Sequence, residues 1–409
     1  MKQEIVFHVD VNSAFLSWEA VHRLQEGDTL DLRTIPSAVG GDVKSRHGII
    51  TAKSIPAKAY GVATGEPVTQ ALKKCPNLVL VPPTKGLYSR CSHLFMDICR
   101  EFSPVVEPFS IDECFLDMTQ VVPGRDETEA VRIANELRER IRDELGFTVN
   151  IGISENKLLA KMASDFKKPD RTHTLWTSEI PKKLWPLAVG DLLFVGKSTV
   201  ERLHTLGIRT IGELAEMPEA VLTAHFGEKG GKSLHRSANG IDHSRVTDIR
   251  AEAKGYGNST TLPYDFTDAE EAYPVLLKLA ESVCSRMRKD DVKAGLVTVA
   301  YRSSGFNNYS HQKKLDYHTD ATDLIYREAV QLFDALWDGK TPIRLLGLSC
   351  GNLSDGKNEQ MNLFGEEDRE KHEKLDRMLD SIRERFGKDA VMRTRELKYP
   401  DRKETEEDR

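Results

Sequence analysis

At 409 residues the chain is too long for one compact core and reads as several domains. Apolar residues make up 39% and charged residues 30%, a globular balance, and no stretch approaches the roughly 20 apolar residues of a membrane-spanning helix. The formal charge of −6 neither suggests nor forbids a polyanionic partner, because only the contacting groove need be basic.

The N-terminal run MKQEIVFHVDVNSAF has no apolar core of signal-peptide length, since Asp10 and Asn12 interrupt it, and a cytoplasmic location is expected. Ile5 to Val9 reads as a buried strand that delivers Asp10 at its end. Ser13 to Leu24 has helical spacing, with Phe15, Trp18, Val21 and His22 as inward positions. Asp28 to Pro67 is rich in Gly and Pro and predicts a small irregular subdomain. Val105 to Asp117 predicts two strands, and Glu129 to Leu145 an amphipathic helix. Short Gly-bounded helices follow from Leu192 to about Gly240, then a polar tether from Asp242 to Lys254. Gly255 to Asn352 reads as α+β, with helices at 269–288 and 320–337 and strands at 296–302, 312–315 and 344–348. Leu353 to Arg409 is a polar tail with one helix, 373–386, and an acidic end. The six cysteines (75, 91, 99, 114, 284 and 350) form no CxxC pair, which argues against zinc and a disulfide framework and for small apolar fillers.

The most informative segment is Ser110-Ile111-Asp112-Glu113. Neighbours on a straight strand point to opposite faces, so the two acids can share a site only at a hairpin tip. There they could converge with Asp10. An isolated Asp-Glu pair is ordinarily surface charge, but this one lies inside the apolar run FSIDECFLD. Burying three carboxylates is costly without cations, and a hard oxygen set suits Mg²⁺. Two such ions, about 3.5–4 Å apart, can bind the attacking and leaving oxygens of a phosphoryl displacement.

HVDVNSAF at Asp10, SIDECFLD at Asp112 and Glu113, and GISENKLLAKMASDFKKPD from Gly152 to Asp170 resemble the palm motifs of Y-family DNA polymerases, closest to the DNA polymerase IV type. The resemblance covers nearly the whole chain. It implies a multidomain α/β and α+β fold, a right-hand polymerase with palm (1–13 and 80–170), small fingers (14–79), a helix-hairpin-helix thumb (171–241), a linker (242–254) and a little-finger domain (255–352). By the same resemblance Asp10, Asp112, Glu113 and the carbonyl of Val11 bind two Mg²⁺ ions. Lys168 contacts the incoming triphosphate, and Phe15 is an aromatic steric gate that leaves no room for a 2′-hydroxyl. Lys161 reads as either a second triphosphate contact or a solvated helix lysine, the latter favoured. Where relatives carry Tyr and Arg in the fingers, this chain has Ile55 and Lys58; Lys58 keeps the charge without the bidentate fork. Tyr60 offers a substitute hydroxyl but reads better as core. Asn12 stands where many relatives have a further acid.

Leu193-Phe194-Val195-Gly196-Lys197-Ser198 resembles the start of a helix-hairpin-helix, whose backbone N–H groups, at Gly196 and Lys197, bind DNA phosphate without reading bases. Phe194 replaces the first glycine of the family's Gly-Val-Gly turn, so an altered turn is expected. In the little finger, Lys254, Arg302, Lys313 and Lys314 are the expected phosphate contacts. Gln360-Met361-Asn362-Leu363-Phe364 in the tail (353–409) resembles the peptide that docks bacterial polymerases on the sliding clamp, with Leu363 and Phe364 as apolar anchors and Gln360 hydrogen-bonding beside them.

The function implied is template-directed, low-fidelity DNA synthesis across lesions, by a monomer that uses primer-template DNA and dNTP. A nucleotidyl cyclase also uses two metal-binding acids but leaves the thumb, little finger and clamp peptide unexplained. A catalytically silent DNA- or clamp-binding accessory protein is the rival from another class. The retained acids oppose it, and the missing Tyr/Arg pair keeps it open.

Overall fold

The computed structural model describes residues 4–41, 48–249, 251–355, 366–387 and 390–393. The expected clamp contacts Gln360, Leu363 and Phe364 lie outside the described residues. The chain forms two compact units, divided near residue 250. Among the described residues no helix is long and apolar enough to cross a membrane.

The first unit opens with β1 (Val6–Val11), α1 (Ala14–Gln25), β2 (Ser37–Gly40), β3 (Ile50–Lys53), α2 (Ile55–Ala59), α3 (Val68–Lys74), β4 (Val79–Val81) and α4 (Leu87–Phe102). It continues through β5 (Val106–Pro108), β6 (Glu113–Asp117), α5 (Glu127–Leu145), β7 (Val149–Ser154), α6 (Lys157–Ser164) and β8 (Thr172–Thr174). The helices α7 (Ile180–Lys183), α8 (Lys197–Thr205), α9 (Ile211–Glu216) and α10 (Glu219–Ala238) complete it.

All six residues of β1 are buried, because the strand lies at the centre of a five-stranded sheet ordered β5-β6-β1-β7-β8. Alternation splits its side chains between two faces. Phe7, Val9 and Val11 enter a core shared with Trp18 of α1, Phe95 of α4 and Ile133, Leu137 and Ile141 of α5. Val6, His8 and Asp10 face the other way, where Val6 and Phe115 pack on Ala160 of α6. The expected amphipathic helix is α5: Asp126 caps its first turn, accepting from the Glu129 amide at 2.9 Å, and Gly146 ends it at φ 74°. A left-handed residue there costs glycine nothing.

Two expectations are adjusted. Helix α1 buries Trp18 as predicted, but Leu16 and Ala20 enter a second core with Leu32, Val39 and Val81, while Val21 and His22 are half-buried. The helix lies between two cores, so a one-sided pattern misses half its contacts. The segment 28–67 is more regular than expected, with β2 and β3 joined by β4 in a three-stranded sheet.

The second unit comprises β9 (Gly255–Phe266), α11 (Ala269–Lys289), β10 (Lys293–Ser303), β11 (Asn308–Thr319), α12 (Thr322–Leu336), β12 (Ile343–Ser354) and α13 (Glu366–Phe386). Its antiparallel sheet runs β11-β10-β12-β9, with α11 and α12 on one face. Strand β9 escapes the sequence pattern because GYGNSTTLPYDF buries only Leu262 and Phe266. Helix α13 is longer than the tail helix expected and is docked by charge. Arg288 donates to Asp380 at 2.6 Å, and the almost fully buried Asp376 accepts from the Thr322 amide at 2.7 Å, at the N-terminus of α12. An anionic group at a helix N-terminus is favourable through unpaired N–H groups and the helix dipole.

Candidate active site

Asp10 and Glu113 are cross-strand partners on β1 and β6, at the end of the sheet face that α6 covers. Pairing continues to Asn150 on β7, opposite Asp10 on the other side. The approach of α6 depends on Gly152, opposite His8: a Cβ there would stand 2.0 Å from the Ala160 carbonyl oxygen and 2.4 Å from the Ser164 nitrogen. Asn156 starts the helix, its side chain accepting from the Leu159 amide at 2.9 Å.

This close packing delivers Lys161. Its ammonium lies 3.0 Å from Asp10, 3.3 Å from Glu113 and 3.1 Å from Asp165, with the side chain 9% exposed. Lys161 is therefore not the solvated helix lysine expected from sequence; it is a buried cation among three carboxylates. The reason is that every residue from Leu158 to Ser164 is buried, so α6 has no solvated face. Lys168 adds a second cation, 3.0 Å from Asp10 and 2.9 Å from Asp165. Asn150 holds the loop that carries it, donating to the carbonyls of Ser164 and Lys167 and accepting from the Arg171 amide.

The electrostatics follow from burial against pairing. Burial pushes the Asp10 carboxyl up to about 6, outweighing the Lys168 and Lys161 charges that lower it. Glu113 goes the other way: burial raises it, but His8 and Lys161 outweigh burial and bring it down to about 2. Both lysines are held above their ordinary range because the neighbouring carboxylates outweigh their desolvation.

Asp112 sits in the β5–β6 turn, where its Oδ1 accepts from the Ser110 hydroxyl at 2.6 Å, while its carbonyl accepts from the Val11 amide at 3.0 Å. The backbone thus joins Val11 and Asp112. Among the described residues no three His, Cys, Asp or Glu side chains stand grouped as a ready metal cage. Asn12 is buried and donates to Thr148 Oγ1.

Phe15, on the first turn of α1, is half-buried and stacks on Tyr88 with centroids 4.5 Å apart and planes 15° off parallel. Tyr88 is fixed in turn by its hydroxyl, which donates to the buried Glu19 at 2.8 Å. Ile55 and Lys58 are both exposed on α2. Tyr60 is 55% exposed, not core as expected, because α2 is a short surface helix that buries only Ala57.

Gly196 precedes α8 and, with Lys197, is exposed at its N-terminus. Phe194 takes φ 66° and is 83% exposed. A residue other than glycine adopts this left-handed conformation with strain. In the second unit, strand parity sorts the basic candidates. Arg302 shares a face with Thr298 and Ala300, away from the helices, and Lys314, opposite Leu296, lies on that open face. Lys313 is opposite the buried Val297 and reaches Glu328 of α12 at 2.6 Å. Lys254 is exposed just before β9.

The sequence reading missed His8, Asn150, Ser164 and Asp165. The first two carry a readable signal, a polar residue inside an otherwise apolar strand (VFHVDV, VNIGIS). Ser164 and Asp165 carry none.

The sequence matches the model of the impB/mucB/samB family over residues 9–165 and that of its C-terminal domain over 253–363. Residues 190–242 match a model described as the DNA polymerase-iota thumb domain. Similar proteins include the DNA polymerase IV of Clostridium acetobutylicum, 46% identical over 96% of this chain and 98% of that one. The DNA polymerase IV 1 of Bacillus subtilis is 38% identical over 98% of this chain and 95% of its own length. A solved chimeric Y-family DNA polymerase built from Dbh and Dpo4 shares the fold, with TM-score 0.74 and 24% identity over 85% of this chain and 98% of that one. On the sequence relatives and the shared fold together, the chain belongs to the impB/mucB/samB family, the Y-family DNA polymerases.

Proposed function

We propose that this chain is a DNA-directed DNA polymerase of the DNA polymerase IV type, working in the cytoplasm as a monomer in lesion bypass. The observation that carries the reading is the meeting of Asp10, Glu113, Lys161 and Lys168 at one end of the central sheet. The primer 3′-hydroxyl attacks the α-phosphate of a dNTP; the new P–O bond forms as the bond to the β-phosphate breaks, and pyrophosphate leaves.

The donor set fits a divalent cation. Two largely buried carboxylates demand positive charge, and the space between them already takes an ammonium group. Asp10, Glu113, Asp112 and the Val11 carbonyl are hard oxygen donors, the chemistry that Mg²⁺ selects. When bound, Mg²⁺ supplies charge that acidifies the attacking hydroxyl and neutralises the triphosphate. The remaining work belongs to the chain and is mainly positioning. Lys168 binds the triphosphate, and Lys161 bridges the carboxylates in a fixed frame. Phe15, backed by Tyr88, presses on the sugar and excludes a 2′-hydroxyl. Lys58 offers a point charge from α2 without the planar fork of arginine.

For DNA, the reading assigns backbone contacts to the amides at Gly196 and Lys197 and to Lys254, Arg302 and Lys314, which are accessible to phosphate. Lys313 is a weaker candidate, since Glu328 already neutralises it. Clamp docking through Gln360, Leu363 and Phe364 is supported by the peptide's sequence. Primer extension on an undamaged template with Mg²⁺ tests the proposal: templated addition is expected from the parent and not from an Asp112→Asn/Glu113→Gln double variant. A folded, DNA-binding parent that adds nothing would favour the accessory role instead.

A further inference from the structure

His8 stands in the middle of β1, on the face that carries Asp10, with no exposed surface. Imidazole is an expensive filler for an apolar strand, because both ring nitrogens lose water and each then needs a partner. Nδ1 has one, the Ser164 hydroxyl on α6, 2.8 Å away. Nε2 is fully buried without a well-aligned partner, and it lies 3.3 Å from Glu113 Oε2. Phe115 holds the ring at a centroid distance of 4.6 Å, and Phe109 meets it edge-on at 6.3 Å.

Counting protons fixes the direction of this chain of contacts. The Ser164 hydroxyl has one proton and two neighbours at 2.8 Å, His8 Nδ1 and the Lys161 carbonyl. If the carbonyl takes it, Nδ1 keeps its own proton, and a bare Nε2 lone pair faces a carboxylate with no water between them. If Nδ1 takes it, the imidazole proton sits on Nε2 and faces an acceptor. Of the two neutral tautomers, only the second avoids opposed acceptors in a dry site.

The geometry points to His8 as a positioning residue for Glu113: its Nε2 stands 3.3 Å from Oε2, while Oε1 is turned toward Lys161 and the Asp10 side. The contact is too poorly aligned in this structure to count as a hydrogen bond, and it becomes one when Glu113 turns toward Nε2 on taking its final orientation. A carboxylate with one oxygen held offers the other to a cation in one direction, which is how partners behind a ligand tune metal affinity. The inference rests on the reading of Asp10 and Glu113 as metal ligands.

The test uses Mn²⁺ as probe and the full-length chain on a primer–template ending in a dideoxynucleotide, without dNTP. Bound and free ion are separated by electron paramagnetic resonance. The expected result is that His8→Leu weakens Mn²⁺ binding about tenfold, the low end for loss of such a partner. His8→Gln, whose amide can donate toward Glu113, should stay within about threefold of the parent, with melting temperatures of both variants near the parent's. If His8→Leu does not fold, Ser164→Ala frees Nδ1 to keep the proton and should weaken binding about tenfold. Unchanged affinity in the folded variants, or equal losses in His8→Leu and His8→Gln, would overturn the assignment and leave His8 a packing residue. A parent that binds no more Mn²⁺ than the Asp112→Asn/Glu113→Gln variant would overturn the metal reading itself, and the role of His8 with it.

Discussion

Replacing Lys161 by methionine removes one charge while keeping an unbranched side chain of similar length and helix propensity. The lysine sits within 3.3 Å of three carboxylates and is 9% exposed. Removing one member of a buried ionic group leaves uncompensated charge, which costs about 3–5 kcal/mol. An exposed helix lysine would cost less than about 0.5 kcal/mol, so the two descriptions are well separated. The assay is urea denaturation followed by tryptophan emission in a Trp337→Phe background. There the remaining tryptophans, Trp18, Trp176 and Trp185, all belong to the first unit. A destabilisation of about 3 kcal/mol or more is expected without metal. Part of it should return with Mg²⁺, by about 1.4 kcal/mol at ten times the dissociation constant, because the ion replaces the lost charge. A loss below about 1 kcal/mol would refute the reasoning, since it would mean that water or protonation of Asp10 already relieves the carboxylates.

Four other outcomes are expected. Phe15→Ala should raise ribonucleotide incorporation by roughly ten- to hundredfold in primer extension with competing dNTP and NTP; unchanged sugar selectivity would remove Phe15 from the gate. Gly152→Ala should destabilise the first unit by about 3 kcal/mol or more in the same urea assay, because its Cβ would meet backbone atoms of α6 rather than a side chain that can turn aside. Glu113 is held at about 2 in the fold against 4.5 for the free group, so its contribution, about 3 kcal/mol, is complete above pH 4.5 and lost as pH falls toward 2. Glu113→Gln should therefore flatten that part of the stability–pH curve, and a curve parallel to the parent's would count against the pairing. Deleting residues 360–364 should abolish stimulation by a bacterial sliding clamp while distributive synthesis persists; loss of both would make the segment structural.

Much of the site could be read along the chain. An acid at the end of an apolar run (Asp10) and an acidic pair inside another (Asp112-Glu113) violate the pattern of a buried strand, and such violations carry their own explanation. Glu113 meets Asp10 across β1 and β6 as the hairpin expectation required. Asp112 is less settled by local pattern, because its side chain can bond Ser110 within the turn as well as face the sheet end. Lys161 was misread for a definite reason. A two-turn helix with polar residues is ordinarily solvated on one side, and nothing in LLAKMAS reveals that Gly152 lets the sheet come against it. The same limit applied to β9, whose Gly, Ser, Asn and Thr residues hide a twelve-residue strand. It applied also to Lys313 and Lys314, adjacent in sequence but placed on opposite faces by the period of the strand.

What the sequence by itself determined was the family, the strand that carries Asp10, the hairpin that carries Glu113, and an aromatic on the first turn of α1. These are local patterns, fixed by alternation, turn residues and the order of motifs. The tertiary structure alone decided which cations answer the carboxylates and what stands behind them: Lys161, Lys168, His8 and Ser164, drawn from β1, α6 and the loop after it. Charge pairing inside a fold is non-local, because desolvation depends on everything packed around a group, and no window of sequence contains residues 10, 113, 161 and 168 together.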